Sequence, residues 1–483
     1  MSTPASASAA GGGQPARIAL WRWMAVLVPG AVIWFVPLPG LAPQQSHQLA
    51  IFVATIVALV AHPVPMGVSA LVGMTLLALT GTLPPARVLA GFSNLTVWLV
   101  FSAFLFARAV TATGFGLRVA YFFINRFGKS ALTLGYSLAA ADVVLAPFVP
   151  SDTARGGAIM YPVTRSVAQA AGSEPGETAD QLGAFLMLVS FHATYTASGM
   201  FLTGMAANPL IAEFAAKQAH VQLTWGTWIE GSIVPAMLTL ILMPVLIHRL
   251  ARPTADVAQT NAARRHAREN LATMGAMKRQ EWWLLVVMLG VMAGWVTSPL
   301  HGMHNTIIAL AGVCTLLLVG VLTWKELLSE RKAWDALIWF APLLMMADAL
   351  NESGVIKVLS STFFAHLGGW PWGLAFVALV IAYLYLHYGF ASMTAHVTAL
   401  YPSFLAAALV TGAPPLVAAL GLAYFSNLDA CLTHYGTGSA PIFFGAGYVA
   451  QGTWWRIGFL VSLMNIGIWL GVGMVWWKIL GWW

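Results

Sequence analysis

Residues 131–167, ALTLGYSLAAADVVLAPFVPSDTARGGAIMYPVTRSV, are apolar over a membrane-sized length yet broken by Pro147, Pro150 and the polar cluster Ser151, Asp152, Thr153 and Arg155. Crossing the hydrocarbon core takes about 20 apolar residues in one helix. No water is present there to satisfy the backbone of a broken one. A re-entrant helical hairpin fits this pattern, with its tip held inside protein. A second stretch, residues 370–410, has the same form. Ser392-Met393-Thr394-Ala395-His396 aligns with Ser151-Asp152-Thr153-Ala154-Arg155, and each pentad is followed by Tyr-Pro, at Tyr161-Pro162 and Tyr401-Pro402.

The surrounding chain supports a membrane setting. Of its 483 residues 59% are hydrophobic and 8% charged, whereas a soluble domain carries roughly 25% charged residues. A soluble enzyme is excluded. Lys+Arg 23 against Asp+Glu 16 gives +7, but the cations sit in short connections between apolar runs, so they mark the cytoplasmic side and no nucleic-acid partner. Cys314 and Cys431 match no metal or redox spacing and read as small hydrophobes.

Residues 1–16 read as a disordered tail. Spans are expected near 17–37, 47–61, 66–82, 94–112, 182–206, 225–248, 282–298, 304–323, 334–351, 415–432 and 456–480, with an interfacial helix at Gly116–Phe127. This predicts an all-α polytopic membrane protein of about eleven crossings plus two re-entrant hairpins. The connection 249–281 carries Arg249, Arg252, Arg264, Arg265, Arg268, Lys278 and Arg279 and is the strongest cytoplasmic marker. Starting inside, six crossings and one re-entrant hairpin return the chain to the inside there, and the C-terminus ends outside. On this count the two hairpins enter from opposite faces, as in an inverted-topology repeat. The Trp pairs 282/283, 454/455 and 476/477 fall at span ends, where indoles favour the interface.

A helix break frees backbone N–H groups, and the positive end of the following helix suits an anion. Ser151 and Ser392 either bind a ligand or cap their own helices. Each half has a further Gly- and hydroxyl-rich interruption. The first runs from Thr194 through Ser198, Gly199 and Thr203 to Asn208-Pro209. The second runs from Thr433 through Thr437, Gly438 and Ser439 to Pro441. Both suit unwound helix lining a cavity, or else a close-packing face. Ser93-Asn94-Leu95-Thr96 looks like a tip but reads as a helix cap. Ser426, Asn427 and Asp429 either line the cavity or bond between helices, and His387 precedes the second tip.

Over residues from about 45 to the end, the chain resembles the divalent anion/sodium symporter (DASS) family, in its branch of citrate, tartrate, succinate and 2-oxoglutarate/malate carriers. The resemblance rests on Pro150–Arg155, Phe201–Pro209, Phe390–His396 and Thr433–Gly438. It implies a homodimer in the bacterial inner membrane, contacting lipid and transporting di- or tricarboxylates. It also implies an elevator, in which a transport domain (131–224, with hairpin 131–168 and unwound helix 182–208, and 370–483, with hairpin 370–410, unwound helix 415–441 and last helix 456–480) moves against scaffold segments 17–130 and 225–369. By motif match the tip residues Ser151, Asp152, Thr153, Ser392, Met393 and Thr394 hold substrate carboxylates. Ser198, Gly199, Thr203, Asn208, Thr433, Thr437, Gly438 and Ser439 join them. Sodium-coupled members bear Ser-Asn-Thr at both tips and line two sodium sites; here Asp152 and Met393 replace the Asn. Since Met393 supplies no carboxamide the second sodium site is in doubt, while a residual sodium site at Ser151, Asp152 and Gly199 stays open and no other cofactor is implied.

A dianion in a low-dielectric site needs positive charge beside it. Arg155 and His396 occupy equivalent positions, and as fixed cations they would replace sodium and make the carrier an obligatory exchanger. Alternatively, Arg155 pairs with Asp152 and His396 is a neutral interior imidazole. Sodium-coupled dicarboxylate or sulfate symport is the competing reading. A channel, or an enzyme using Asp152, His396 and His434, is remoter, since nothing pairs a nucleophile with a base.

Overall fold

Among the described residues of the computed structural model, 20–61, 63–356, 358 and 369–483, there is no strand. The expected tail 1–16, Arg17 and the stretch 359–368 lie outside the described residues. Nine helices there are long and apolar enough to cross a membrane, and Leu20–Phe35, Met66–Leu79 and Asn305–Leu318 are shorter apolar helices. The expected spans near 47–61, 94–112, 225–248 and 334–351 appear as Pro43–Ala61, Leu95–Thr113, Trp225–Ala251 and Arg331–Glu352. Asn94 caps its helix by accepting the Thr96 N–H at 2.7 Å, so the tip-like Ser93–Thr96 is a cap.

Gly183–Met200 is not among the nine, because it carries Ser190, His192, Thr194, Thr196 and Ser198. All its residues but Ala184 are buried. Such a helix sits in protein, where neighbours satisfy its polar groups, and it packs against Pro415–Leu428 of the other half. Trp225–Ala251 leans on Gly183–Met200, Ala131–Leu145 and the last helical segment, 451–479. By packing it sides with the hairpin-bearing elements, although the sequence reading grouped it with the scaffold.

Two further expectations change. The basic connection 249–281 contains a helix, Val257–Met274, opened by a capping box between Asp256 and Gln259. It packs on the interfacial helix Phe115–Phe127, where Arg264 Nε donates to the Asn125 carbonyl at 2.7 Å. Gly114, at φ +74°, provides the left-handed turn that redirects the chain from Leu95–Thr113 into that interfacial helix. Of the Trp pairs, 282 and 283 are exposed, but Trp454 and Trp477 are fully buried. Trp454 packs on Phe191 and Trp477 Nε1 donates to the Gly231 carbonyl at 2.9 Å, so the second and third pairs each turn one indole inward.

Candidate functional site

Both broken segments form as helix, break and helix. Ala131–Leu145 ends in a short 3-10 turn, Ala146–Phe148, and Ser151 then caps a helix that runs from Asp152 to Ala170 through one wide turn, Gly156–Met160. Trp372–Leu386 ends in the 3-10 turn His387–Gly389, and Ser392 caps Met393–Val410. The two serines act alike. Ser151 Oγ accepts the Ala154 N–H at 3.1 Å and Ser392 Oγ accepts the Ala395 N–H at 3.3 Å.

The residues of each tip divide by face. Ser151, Thr153, Ser392 and Thr394 are half-buried, whereas Asp152 and Met393, the departing middle positions, are buried. Met393 packs into the core, off the accessible face expected of a substrate contact. Asp152 reaches the unwound segment of the opposite half: Thr437 Oγ1 donates to its carboxylate, and Ser439 Oγ does so at 3.0 Å. Gly438 lies against Thr153, so close that a Cβ there would stand 2.3 Å from Thr153 Oγ1. On the other side, the Gly436 carbonyl accepts from His387 Nε2 at 2.8 Å. Residues 433–439 therefore touch both hairpins.

Arg155 is fully buried, and its five N–H donors are all committed. Nε donates to Asp142, Nη1 to the carbonyls of Val149 (2.8 Å) and Gly204 (3.3 Å), and Nη2 to the Thr194 carbonyl and Ser198 Oγ, both at 2.7 Å. Thr194 Oγ1 donates to the second Asp142 oxygen. The expected contact between Arg155 and substrate is not made available by this arrangement, and its carboxylate partner is Asp142, not Asp152. Asp142 went unnoticed by sequence reasoning, though a lone carboxylate inside an apolar run signals a buried partner.

The other expected site residues are placed as follows. Asn208 Nδ2 donates to the carbonyls of Ser198 (3.0 Å) and Phe201 (2.9 Å), and Asn427 Nδ2 donates to Asn208 Oδ1 at 2.9 Å, tying the halves together. Thr203 Oγ1 donates to the Pro147 carbonyl at 2.7 Å. Gly199 packs on Asn427, and its carbonyl accepts from Trp228 Nε1 at 2.9 Å. Thr433 Oγ1 is buried and, among the described residues, has no hydrogen-bond partner. His396 is buried, with Nε2 donating to the Tyr383 carbonyl at 3.1 Å and Nδ1 facing Asp429 at 2.9 Å. Ser426 shares a hydrogen bond with Tyr383 Oη at 2.8 Å, so Ser426 and Asn427 bond between helices.

Sodium can be tested against these oxygens. Around the first break, the carboxylate, carbonyl and hydroxyl oxygens that would suit a hard cation surround the Arg155 guanidinium. Of the suggested set, Ser151 Oγ is engaged by Ala154, Asp152 Oδ2 by Thr437 and Ser439, and the Gly199 carbonyl by Trp228, while Asp152 Oδ1 has Thr153 Oγ1 at 3.4 Å. With those oxygens committed, the set by itself offers sodium no complete cage of ligands.

A cavity of about 190 Å³ opens beside the first tip, lined by Arg108, Thr111, Ala154, Ala158, Glu330 and Lys332 among others. Arg108 reaches Glu326 at 3.4 Å, and the Thr323 backbone N–H holds the Glu326 carboxyl below its usual range. The cavity thus joins the Ala154–Ala158 face of the Asp152 helix to an opening of mixed charge, where Arg108 and Lys332 stand beside Glu326 and Glu330.

The family model described as the sodium:sulfate symporter transmembrane region matches residues 17–483. The chain is 44% identical over 473 residues to the putative malate transporter YflS of Bacillus subtilis, covering 98% of each protein. It is 43% identical over 464 residues to the chloroplastic dicarboxylate transporter 1 of Arabidopsis thaliana, covering 95% of this chain and 83% of that one. It is 33% identical over 485 residues to the citrate/succinate antiporter of Escherichia coli, covering 96% and 98%. The YdaH transporter structure of Alcanivorax borkumensis shares the fold, with a TM-score of 0.56 at 14% identity over 95% of this chain and 97% of that one.

Proposed function

The chain belongs to the sodium:sulfate symporter family, and from that premise we propose that it carries di- and tricarboxylates across a membrane by exchanging one anion for another. It is a multi-pass membrane protein. Relatives named for malate, for dicarboxylates and for citrate/succinate antiport support the substrate class. A bacterial relative named as an inner membrane protein supports that location. In this reading the half-buried hydroxyls of Ser151, Thr153, Ser392 and Thr394, with Thr433, receive the carboxylates, and the first-turn N–H groups of both tips face them. Arg155 and Asn208 position the tips without touching substrate.

The observation that carries exchange over symport is the filled cage at Arg155. A guanidinium tethered to the chain occupies the oxygens that a diffusible cation would need, so that cation neither arrives with substrate nor leaves with it. An ion gradient then has no site to act on there. The anion enters past Arg108 and Lys332, the cations that line this cavity. The hairpins and both broken helices, with Trp225–Ala251, move as one elevator body in a homodimer whose N-termini are cytoplasmic and C-termini outside.

Proteoliposomes test this reading. Uptake of labelled malate requires an internal dicarboxylate and is unchanged by an inward sodium gradient. Uptake into vesicles lacking internal dicarboxylate, driven by sodium alone, overturns it.

A further inference from the structure

Behind the second tip, two imidazoles converge on one carboxylate. His387 Nε2 lies 2.8 Å from the Gly436 carbonyl and His396 Nε2 lies 3.1 Å from the Tyr383 carbonyl. A carbonyl oxygen only accepts, so each Nε2 bears a hydrogen. Both Nδ1 atoms then face a single oxygen, Asp429 Oδ2, at 3.2 Å from His387 and 2.9 Å from His396. All three side chains are fully buried, and among the described residues neither Nδ1 has another hydrogen-bond partner and the further donor near the Asp429 carboxyl is the Ala430 backbone N–H. With two neutral rings and an ionised carboxylate, three acceptors would meet with no proton among them, which a buried site does not sustain. One added proton makes the group neutral and forms one of the two contacts. A second forms both and leaves it positive.

The groups around it do not supply that charge. From Trp372–Leu386 comes Tyr383, its ring 4.3 Å from His396, and from the following turn Phe390 at 5.0 Å. Cys431 lies beside Asp429 on the same turn. Tyr401 of Met393–Val410 stands near Tyr383 but donates to the Ala419 carbonyl at 2.9 Å. Tyr195 of Gly183–Met200 approaches Cys431. His434 accepts from Trp455 Nε1 at 3.0 Å. Among the described residues, the ionic partners of His387, His396 and Asp429 are one another.

We propose that His387, Asp429 and His396 form a proton-binding site that takes up its second proton when an anionic substrate seats at the tips, so that the carrier moves each dianion together with a proton. The inference rests on the carrier reading above. Its physical ground is proximity. His396 lies one helical turn beyond the cap Ser392, and His387 holds Gly436 in the segment that also binds the first tip through Thr437 and Ser439. A dianion there favours the positive form of the cluster, and by linkage the protonated cluster favours the dianion equally.

Calorimetric titration of the full-length purified protein with malate, at pH 7.5 in buffers of different ionisation enthalpy, counts protons taken up on binding. The wild type should take up about one proton per malate, and its affinity should rise up to about tenfold per unit fall in pH. Asp429→Asn is the decisive variant, because a carboxamide nitrogen in place of Oδ2 donates to both ring nitrogens with no titratable proton. It should fold, bind malate and take up none. If it does not fold, His387→Gln and His396→Gln are each expected to lower the proton count. Malate binding without proton uptake by the wild type overturns the proton site alone, as does full uptake by Asp429→Asn or about one equivalent of tightly bound transition metal in the purified protein. Absence of any dicarboxylate binding overturns the carrier reading and this inference with it.

Discussion

Ser151 and Ser392 cap their helices with nearly the same bond, and four residues beyond each stands a cation or potential cation, Arg155 or His396, fully buried. From there the two tips diverge. Arg155 has five donors and five acceptors, with its carboxylate on the arm before the break. His396 shares Asp429, which comes from another element, with His387, and the three leave protonation sites open. A guanidinium is charged at every accessible pH, so the first site has one state. Imidazole and carboxylate can exchange protons, so the second has several. The same backbone device thus supports a fixed brace in one half and an adjustable charge in the other.

The most forceful way to break this comparison is to remove a carboxylate from each site. Asp142→Ala strands the Arg155 charge in the interior and should destabilise by about 3–5 kcal/mol, with loss of exchange. In Asp142→Ala/Arg155→Ala the two effects should be far less than additive, measured as thermal-melt shifts in detergent. Asp429→Asn, by contrast, should change stability by about 1 kcal/mol or less, because the amide satisfies both imidazoles. Equal losses at the two sites would mean that the second is as rigidly charged as the first.

Contacts with the unwound segment give the next test. A Cβ at Gly438 would fall 2.3 Å from Thr153 Oγ1, whereas one at Gly436 would meet His387 Nε2 and Thr433 Oγ1 at 3.1 Å. Gly438→Ala should therefore destabilise by about 1–3 kcal/mol and impair exchange, with Gly436→Ala milder. Adding Thr153→Ala to Gly438→Ala removes the obstructing hydroxyl and should recover much of the stability. No recovery would show that the first tip does not rest on residue 438.

The breaks themselves were legible, since Pro147, Pro150 and the serine caps interrupt runs whose apolar character is otherwise continuous. Charge partners were not. The sequence offers Arg155 a partner in Asp152, three residues away, while its actual partner Asp142 lies thirteen residues back across the break. Distance along the chain says little where a chain folds back on itself, but an isolated carboxylate in an apolar helix was a usable signal, at Asp142 as at Asp429. The helix within the basic connection was also readable, from Asp256 and Gln259 as a capping box. The company kept by Trp225–Ala251 was not, because an apolar face suits lipid and protein equally well.

The smallest expected effect probes what the two tips share. Ser151→Ala and Ser392→Ala each remove one acceptor for a first-turn N–H and should each destabilise by about 1 kcal/mol, to a similar extent. Stability alone therefore cannot separate a cap from a ligand, and exchange kinetics must. If the hydroxyls only cap, Ser→Thr or Ser→Asp at either position keeps an acceptor and restores melting and exchange together. If they also receive a carboxylate, Ser→Asp restores the cap but sets a negative charge against the substrate, so melting recovers while malate affinity falls. A split at Ser151 but not at Ser392 would place the substrate at the braced tip and leave the titratable tip to bind the proton.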